Sequence, residues 1–570
     1  MLRVLLSLAV CVALSPAQAI LPRADVRQGM RGMGRTVFQG EKVEEFQAEI
    51  LGVLRNAGPK QSIILARLSG GPLERTGVMQ GMSGSPVYVN GRLIGAVALA
   101  FAFSKEPIAG IRPIEEMLAA SGGRTLAARI EDLATPSAQG SGETRLVDVA
   151  TPMSLGGFTA GTVSRFAPQL RALGLEPMQG ALGTGSAANQ SNANARTAPL
   201  EPGSMISVQL VTGDLSVAAD GTVTHVDRAA GRVFAFGHRF LAVGPTSLPF
   251  TRSEVLTLLP NLNTSFKISS SKEWLGSITG DFSTAITGQL GRQSTMVPVT
   301  MAVNGGRQRY RFQIVEDRLL TPFFLQMATF SAIEATERTA GAGTVAVRGE
   351  LEFAGGARVK VDNIYSADNA APLPASLAAS IPLGYAMQSG YPEYRIRNIN
   401  LRVDTEEIKR QYYVDQLWTS PASARPGETV RIHLTLTGPG GEEARHRAEW
   451  RVPLGAPAGP LQITVTDALS TNAADYAHIL TQPPASSAQV GRMLNGLQPN
   501  NIATIRIWRG EAGYLVQGQH LPSPPPSLAL LLKRTPAAAV PAASSRLAEF
   551  DITTAGPIGG SRTIQLDIKE

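Results

Sequence analysis

The 570-residue chain holds one cysteine, Cys11, and no histidine before His225. Cys11 lies in the apolar run Val4–Leu14, which follows Arg3 and precedes Ser15-Pro16 and Ala17-Gln18-Ala19. A charged start, a short apolar stretch and a small-residue A-x-A site describe a secretory signal peptide, with cleavage expected after Ala19. The mature chain then has no cysteine, which excludes disulfides, a cysteine nucleophile and thiolate metal ligands. The six histidines (His225, His238, His433, His446, His478 and His520) make no H-E-x-x-H or other close ligand spacing, so no metal site is expected. Beyond residue 19 no apolar run is long enough for a transmembrane helix, so no integral span is expected after cleavage. Export to the periplasm or the outside is the expected localisation.

Charged residues are scarce, at 17%, and aromatics make up only 6%. The formal charge of +7 comes from scattered arginines with no dense run, which argues against nucleic acid as a partner. The four tryptophans (Trp274, Trp418, Trp450 and Trp508) form no cluster in sequence, so they are expected in cores rather than on a carbohydrate-binding face. What the chain has in abundance is glycine, 58 residues, and proline, 38, the mix of short strands and turns. At this length a single core is excluded, and about three or four domains are expected.

The pattern along the chain is mainly β. Residues 20–120 read as a compact β unit whose clearest element is a hairpin, Val87-Tyr88-Val89 and Arg92 to Val97 around Asn90-Gly91. Residues 121–204 are rich in Ala, Gly, Ser and Asn and read as a linker, with a short helix near 162–173 broken or begun at Pro168. Residues 205–420 return to strands. Residues 421–467 alternate Val430, Ile432 and Leu434 with Arg431, His433 and Thr435, the period of a small sandwich in which His433 faces solvent. Residues 468–570 form a further β region with a helix at 487–497 and linkers at Pro522–Pro526 and Ala537–Ser545.

One turn carries chemistry. Gly81-Met82-Ser83-Gly84-Ser85-Pro86 presents a serine between two glycines just ahead of the hairpin. Acyl transfer needs an exposed hydroxyl on a tight turn and backbone N–H groups aimed at the developing oxyanion. Ser83 fits as nucleophile, with Ser85 as the alternative, and the amides of Gly81 and Ser83 can form the oxyanion hole. A structural Gly/Ser turn is the plainer alternative. For the base, His238 stands out, at the end of the strand-like Phe234-Ala235-Phe236-Gly237. A lone histidine is more often structural than catalytic.

Two stretches resemble the SpoIVB-type serine peptidases. The first runs from Thr36 to Met117 and includes Val43-Glu44-Glu45-Phe46, Thr76-Gly77, Gln80 to Pro86 and Asn90 to Val97. The second is Gly221-Thr222-Val223-Thr224 with Phe236-Gly237-His238 and Ile278 to Leu290. The resemblance implies a trypsin-like double β-barrel, Ser83 as nucleophile and His238 as general base, with no metal or organic cofactor. The two halves stand here in permuted order, serine before histidine. Ser69 stands about where the family has an acidic residue, and no peptide-binding module is visible. Asp214, Asp227 and Asp281 are the candidates for a substitute carboxylate. The function implied is an exported endopeptidase that makes restricted cuts in an exported or envelope protein. The alternative is an inactive periplasmic scaffold that keeps the fold and binds a partner.

Overall fold

The structure, a computed structural model, describes residues 19–570 except 59–60, 102–103, 120–145, 181–198, 262–263, 337–341, 369–370, 482–483, 485, 517–518 and 535–538. Residues 1–18, expected as most of a signal peptide, and the small-residue stretch 181–198 therefore lie outside the described residues. The chain divides into two compact units, Met1–Gly157 with Val163–Thr295, and Phe158–Thr162 with Met296–Glu570.

The first unit contains two closed six-stranded barrels. Strands β1 (Arg31–Val37), β2 (Val43–Gly58), β3 (Gln61–Ser69), β4 (Pro86–Val89), β5 (Arg92–Phe101) and β6 (Ile108–Pro113) pair in the order β4-β1-β2-β3-β6-β5, and a β4–β5 ladder closes the ring. Closure leaves no free edge within the ring. The alternation in β2, with Phe46, Ala48 and Ile50 buried and Gln47 exposed, points one face inward. That face joins Ile64, Ala66, Leu68, Val87, Val89, Ile94, Val97 and Ile111 in one core. The expected hairpin is present: Asn90 and Gly91 both take positive φ, 51° and 72°, the geometry of a tight two-residue turn. A short strand, β7 (Leu146–Asp148), pairs antiparallel with the far end of β5.

The chain continues through β8 (Thr151–Gly156), a helix Ala160–Ala172 that runs through Pro168, and β9 (Leu175–Gln179). The second barrel follows. Strands β10 (Met205–Gly213), β11 (Ser216–Asp227), β12 (Arg232–Ala235), β13 (Gly244–Leu259), β14 (Phe266–Phe282) and β15 (Ala285–Leu290) pair in the order β10-β13-β14-β15-β12-β11, and β10–β11 closes it. The fold is thus mainly β and of the trypsin-like barrel kind, as the sequence led us to expect. Ser83 belongs to the first barrel and His238 to the second.

In the second unit, β16 (Met296–Val303), β17 (Gln308–Val315), β18 (Gly343–Phe353), β19 (Arg358–Ala367) and β20 (Ile396–Glu406) form one sheet in the order β19-β18-β20-β16-β17. Two apolar helices, Leu320–Glu334 and Pro372–Gln388, pack against each other. The remaining strands form a sandwich of two sheets around Val430, Ile432, Leu434, Leu461, Ile463, Ile505 and Ile507. Here three expectations need correction. Trp418 is 41% exposed and lies flat against His433, ring centroids 5.0 Å apart, so Trp418 is not core and His433 is half covered. Residues 539–545, expected as linker, begin the strand Ala539–Thr553, because a long ladder to Ile502–Val516 outweighs the weak β-preference of alanine. Pro526, expected inside a linker, opens the helix Pro526–Arg534, where the first position tolerates a missing N–H.

Candidate active site

The serine turn owes its shape to backbone bonds on both sides. Met82 N donates to Met79 O, Ser85 N to Met82 O and Gly84 N to Val97 O of β5. Gly81 and Gly84 have φ of 87° and 90°, values that L side chains rarely adopt. The second barrel grips the same turn: Thr222 Oγ1 donates to Gly81 O at 2.9 Å, Thr222 N to Ser83 O at 2.9 Å and Thr224 Oγ1 to Gly84 O at 2.7 Å. The carbonyls of the turn are therefore occupied. The amides of Gly81 and Ser83 have no backbone acceptor among the described residues, the condition for donors kept for a ligand oxygen.

Ser83 is fully buried, and its Oγ has no hydrogen-bond partner among the described residues. A buried hydroxyl without a partner is costly, so such a group asks for a reason.

His238 follows two residues held at positive φ, Phe236 at 70° and Gly237 at 71°. A buried phenylalanine in that region stores strain, which concentrates at functional sites. Phe236 stacks edge-on against Phe240 at 5.9 Å. The turn touches the first barrel directly: a methyl on Gly84 would fall 2.5 Å from Phe236 N, and one on Gly237 3.2 Å from Ala98 Cβ. His238 Nδ1 lies 2.6 Å from Arg239 O. A carbonyl only accepts, so Nδ1 carries the proton and the neutral ring keeps its lone pair on Nε2. Nε2 is buried and has no partner among the described residues. Burial pushes the imidazole pKa below its ordinary value, opposed by Asp148 and the Arg239 carbonyl. The structure thus brings the two turns into contact and buries both side chains, without a hydrogen bond between Ser83 Oγ and His238 Nε2.

None of the three candidate carboxylates hydrogen-bonds His238. Asp227 pairs with Arg232 and caps Ala230 N. Asp281 is buried and accepts from the amides of Phe240, Leu241 and Val243, so it fixes the loop that follows His238. Burial raises its pKa to about 6, against the pull of those amides. A raised carboxyl pKa means that the folded chain holds more protons than the unfolded one between about pH 4 and pH 6. Stability should fall as pH rises through that window, by up to about 3 kcal/mol from this group. Asp281→Asn should flatten the dependence, as read from thermal midpoints at pH 4, 5 and 6. An unchanged slope in the variant would assign it elsewhere. Asp214 shows no bond to His238 either.

Several neighbours had no signal in the sequence. Lys267 of β14 is fully buried, its Nζ 2.7 Å from Thr36 Oγ1, which also accepts from Ser85 Oγ at 3.1 Å. The second serine of the turn is thus tied to Thr36 of β1, whereas Ser83 Oγ has no partner among the described residues. The Lys267 stem lies under Gly81, at 3.2 Å from the place of a methyl there. Asp220, also buried, accepts from Ser207 and Ser269 and lies within the field of Lys267. A lone lysine in a strand reads as an exposed position, and only barrel packing makes it central.

A serine turn on one six-stranded barrel and a strained histidine turn on the other, held together by β11, is the frame the comparison with known families bears on. Residues 13–118 match the SpoIVB peptidase S55 family. That SpoIVB-type segment covers the first barrel and Ser83 and stops well short of His238. The match covers less than half of the chain and likens that segment to the SpoIVB-type serine peptidases. No curated protein and no solved structure matches the chain. Among the described residues no helix is long and apolar enough to cross a membrane.

Proposed function

We propose that the protein is an exported serine endopeptidase of SpoIVB type in which Ser83 attacks the scissile carbonyl. His238 Nε2 takes the hydroxyl proton and returns it to the leaving amine. The amides of Gly81 and Ser83 hold the oxyanion. The observation that carries this reading is the pair of buried, partnerless atoms, Ser83 Oγ and His238 Nε2, on two turns in contact. The Nδ1 bond to a carbonyl supplies the tautomer a base needs, the task a carboxylate performs in other triads. A carbonyl stabilises imidazolium less than a carboxylate does, so a slower enzyme with restricted substrates fits best. The substrate is an exported or envelope protein, and the site is the periplasm or the outside.

Labelling of the mature protein with a fluorophosphonate probe tests this. Wild type should label, and Ser83→Ala should not. His238→Ala should slow labelling at least about 100-fold, the usual range for general-base assistance. Equal labelling of wild type and His238→Ala would remove the base assignment.

A second reading is an inactive scaffold with the same barrels. The missing Ser83–His238 bond and the absence of a carboxylate on Nδ1 favour it. No labelling of any folded form would support it.

A further inference from the structure

Ser83 is fully buried and His238 only 2% exposed, so a probe or peptide reaches either only through a local opening. The element that reaches this point is the chain's own. Strand β4 begins at Pro86, just after the serine turn, and pairs with β5 only from Arg92 to Ala96. Beyond that, the edge of β5 away from β6 is taken by β7: Leu99 faces Asp148, Ala100 faces Val147 and Phe101 faces Leu146. One residue further, Val149 N donates to Ala98 O at 2.8 Å.

That register puts the segment beside the histidine turn and one β5 residue away from the bond that holds the serine turn. Gly84 N bonds Val97 O, and Val149 bonds the very next residue of β5. The place of a methyl on Gly237 is 3.2 Å from both Ala98 Cβ and Val97 O, so the histidine turn rests on the same residues. Asp148 lies within the field of His238 and 4.0 Å from Arg239 Nε. Val149 is buried at 4% exposure, and Leu146 packs on Ile63, Ala98 and Leu99. A strand laid antiparallel along an edge is a general mode of peptide recognition, with backbone bonds for affinity and alternate side chains for selectivity.

We infer that the β5 edge from Ala98 to Phe101 is the docking edge for an extended peptide, and that Leu146–Val149 is an intramolecular occupant that a substrate must displace. This rests on the reading of Ser83 and His238 given above. The occupant specifies the partner's chemistry: an extended, antiparallel strand with an aliphatic residue where Val149 sits and an acidic one where Asp148 faces His238 and Arg239. A tethered occupant lowers the apparent affinity for substrate by the fraction of time it is bound.

The test uses a fluorescent peptide of residues Leu146–Ala150 and the full mature protein. Val149→Pro removes the N–H that bonds Ala98, and Val147→Pro breaks the strand at a residue whose side chain is 43% exposed. Both variants should bind the peptide at least about tenfold more tightly than wild type by fluorescence anisotropy. Folded variants that bind no better overturn the inference. In the unaltered protein, saturating peptide should deprotect the amides of residues 147–149 against hydrogen exchange and leave those of Leu99–Phe101 protected. Unchanged protection at 147–149 overturns it too, even if neither variant folds. Peptide binding without fluorophosphonate labelling leaves the docking edge standing and counts against Ser83 as nucleophile.

Discussion

Gly84→Ala is expected to abolish the cooperative unfolding transition of the double barrel, while Gly91→Ala leaves it within a few degrees of wild type. Both glycines take positive φ, at 90° and 72°, so both substitutions carry the backbone penalty of about 1–2 kcal/mol. They differ in what a methyl meets. At Gly91 nothing lies within 4 Å. At Gly84 the methyl would sit 2.0 Å from Thr222 O, 2.5 Å from Phe236 N and 3.0 Å from Phe236 Cα. All three are backbone atoms, so no rotamer change relieves the overlap, and the barrels must part. We expect a cost above about 4 kcal/mol, in the range reserved for disrupted cores and strained backbone. Scanning calorimetry of the two variants decides it. A Gly84→Ala transition close to that of Gly91→Ala would mean that the serine turn does not depend on this contact.

Lys267→Ala should cost about 3–4 kcal/mol, as for a long side chain truncated in a closed core. Lys267→Met should recover most of that. The argument turns on the stem: it is fully buried and lies under Gly81, so its packing, not its charge, supports the turn. The ammonium contributes a pH dependence instead. Burial lowers its pKa to about 7, against the pull of Asp220 and Glu44. Unfolded, the group titrates near its ordinary value, well above that. Between about pH 7 and pH 10 the unfolded chain therefore holds more protons, and stability rises with pH. Below pH 7 both states carry the charge and its burial weighs fully against folding. Methionine should remove this slope and keep the stability. Equal loss in the alanine and methionine variants, by urea midpoints at pH 7 and pH 9, would show that the ammonium holds Thr36 and the turn together.

The serine turn was legible because glycine spacing reports dihedral needs that are local. The Asn90-Gly91 hairpin and the alternation of Val430, Ile432 and Leu434 were legible for the same reason, since turn type and strand period are properties of a few consecutive residues. The helix Ser487–Asn495 falls within its expected range, marked by Ser486, whose side chain caps Gln489 N. Trp418 was not legible. Its exposure depends on which face of its sheet it occupies, and strand register, not composition, sets that.

The sequence by itself determined a mainly β chain with a glycine-flanked serine turn at Ser83, a lone histidine turn at His238 and no cysteine after Cys11. Each follows from residue type and short-range stereochemistry. Only the tertiary structure decided what surrounds them. Thr222 reaches Gly81 across 141 positions, and Lys267 reaches Thr36 across 231. It also decided that Asp281 serves the loop amides and not His238, and that Leu146–Val149 lies along β5. Closing two barrels converts distances in sequence into contacts, and the free energy of that closure is shared among all the strands. No single segment carries its signature.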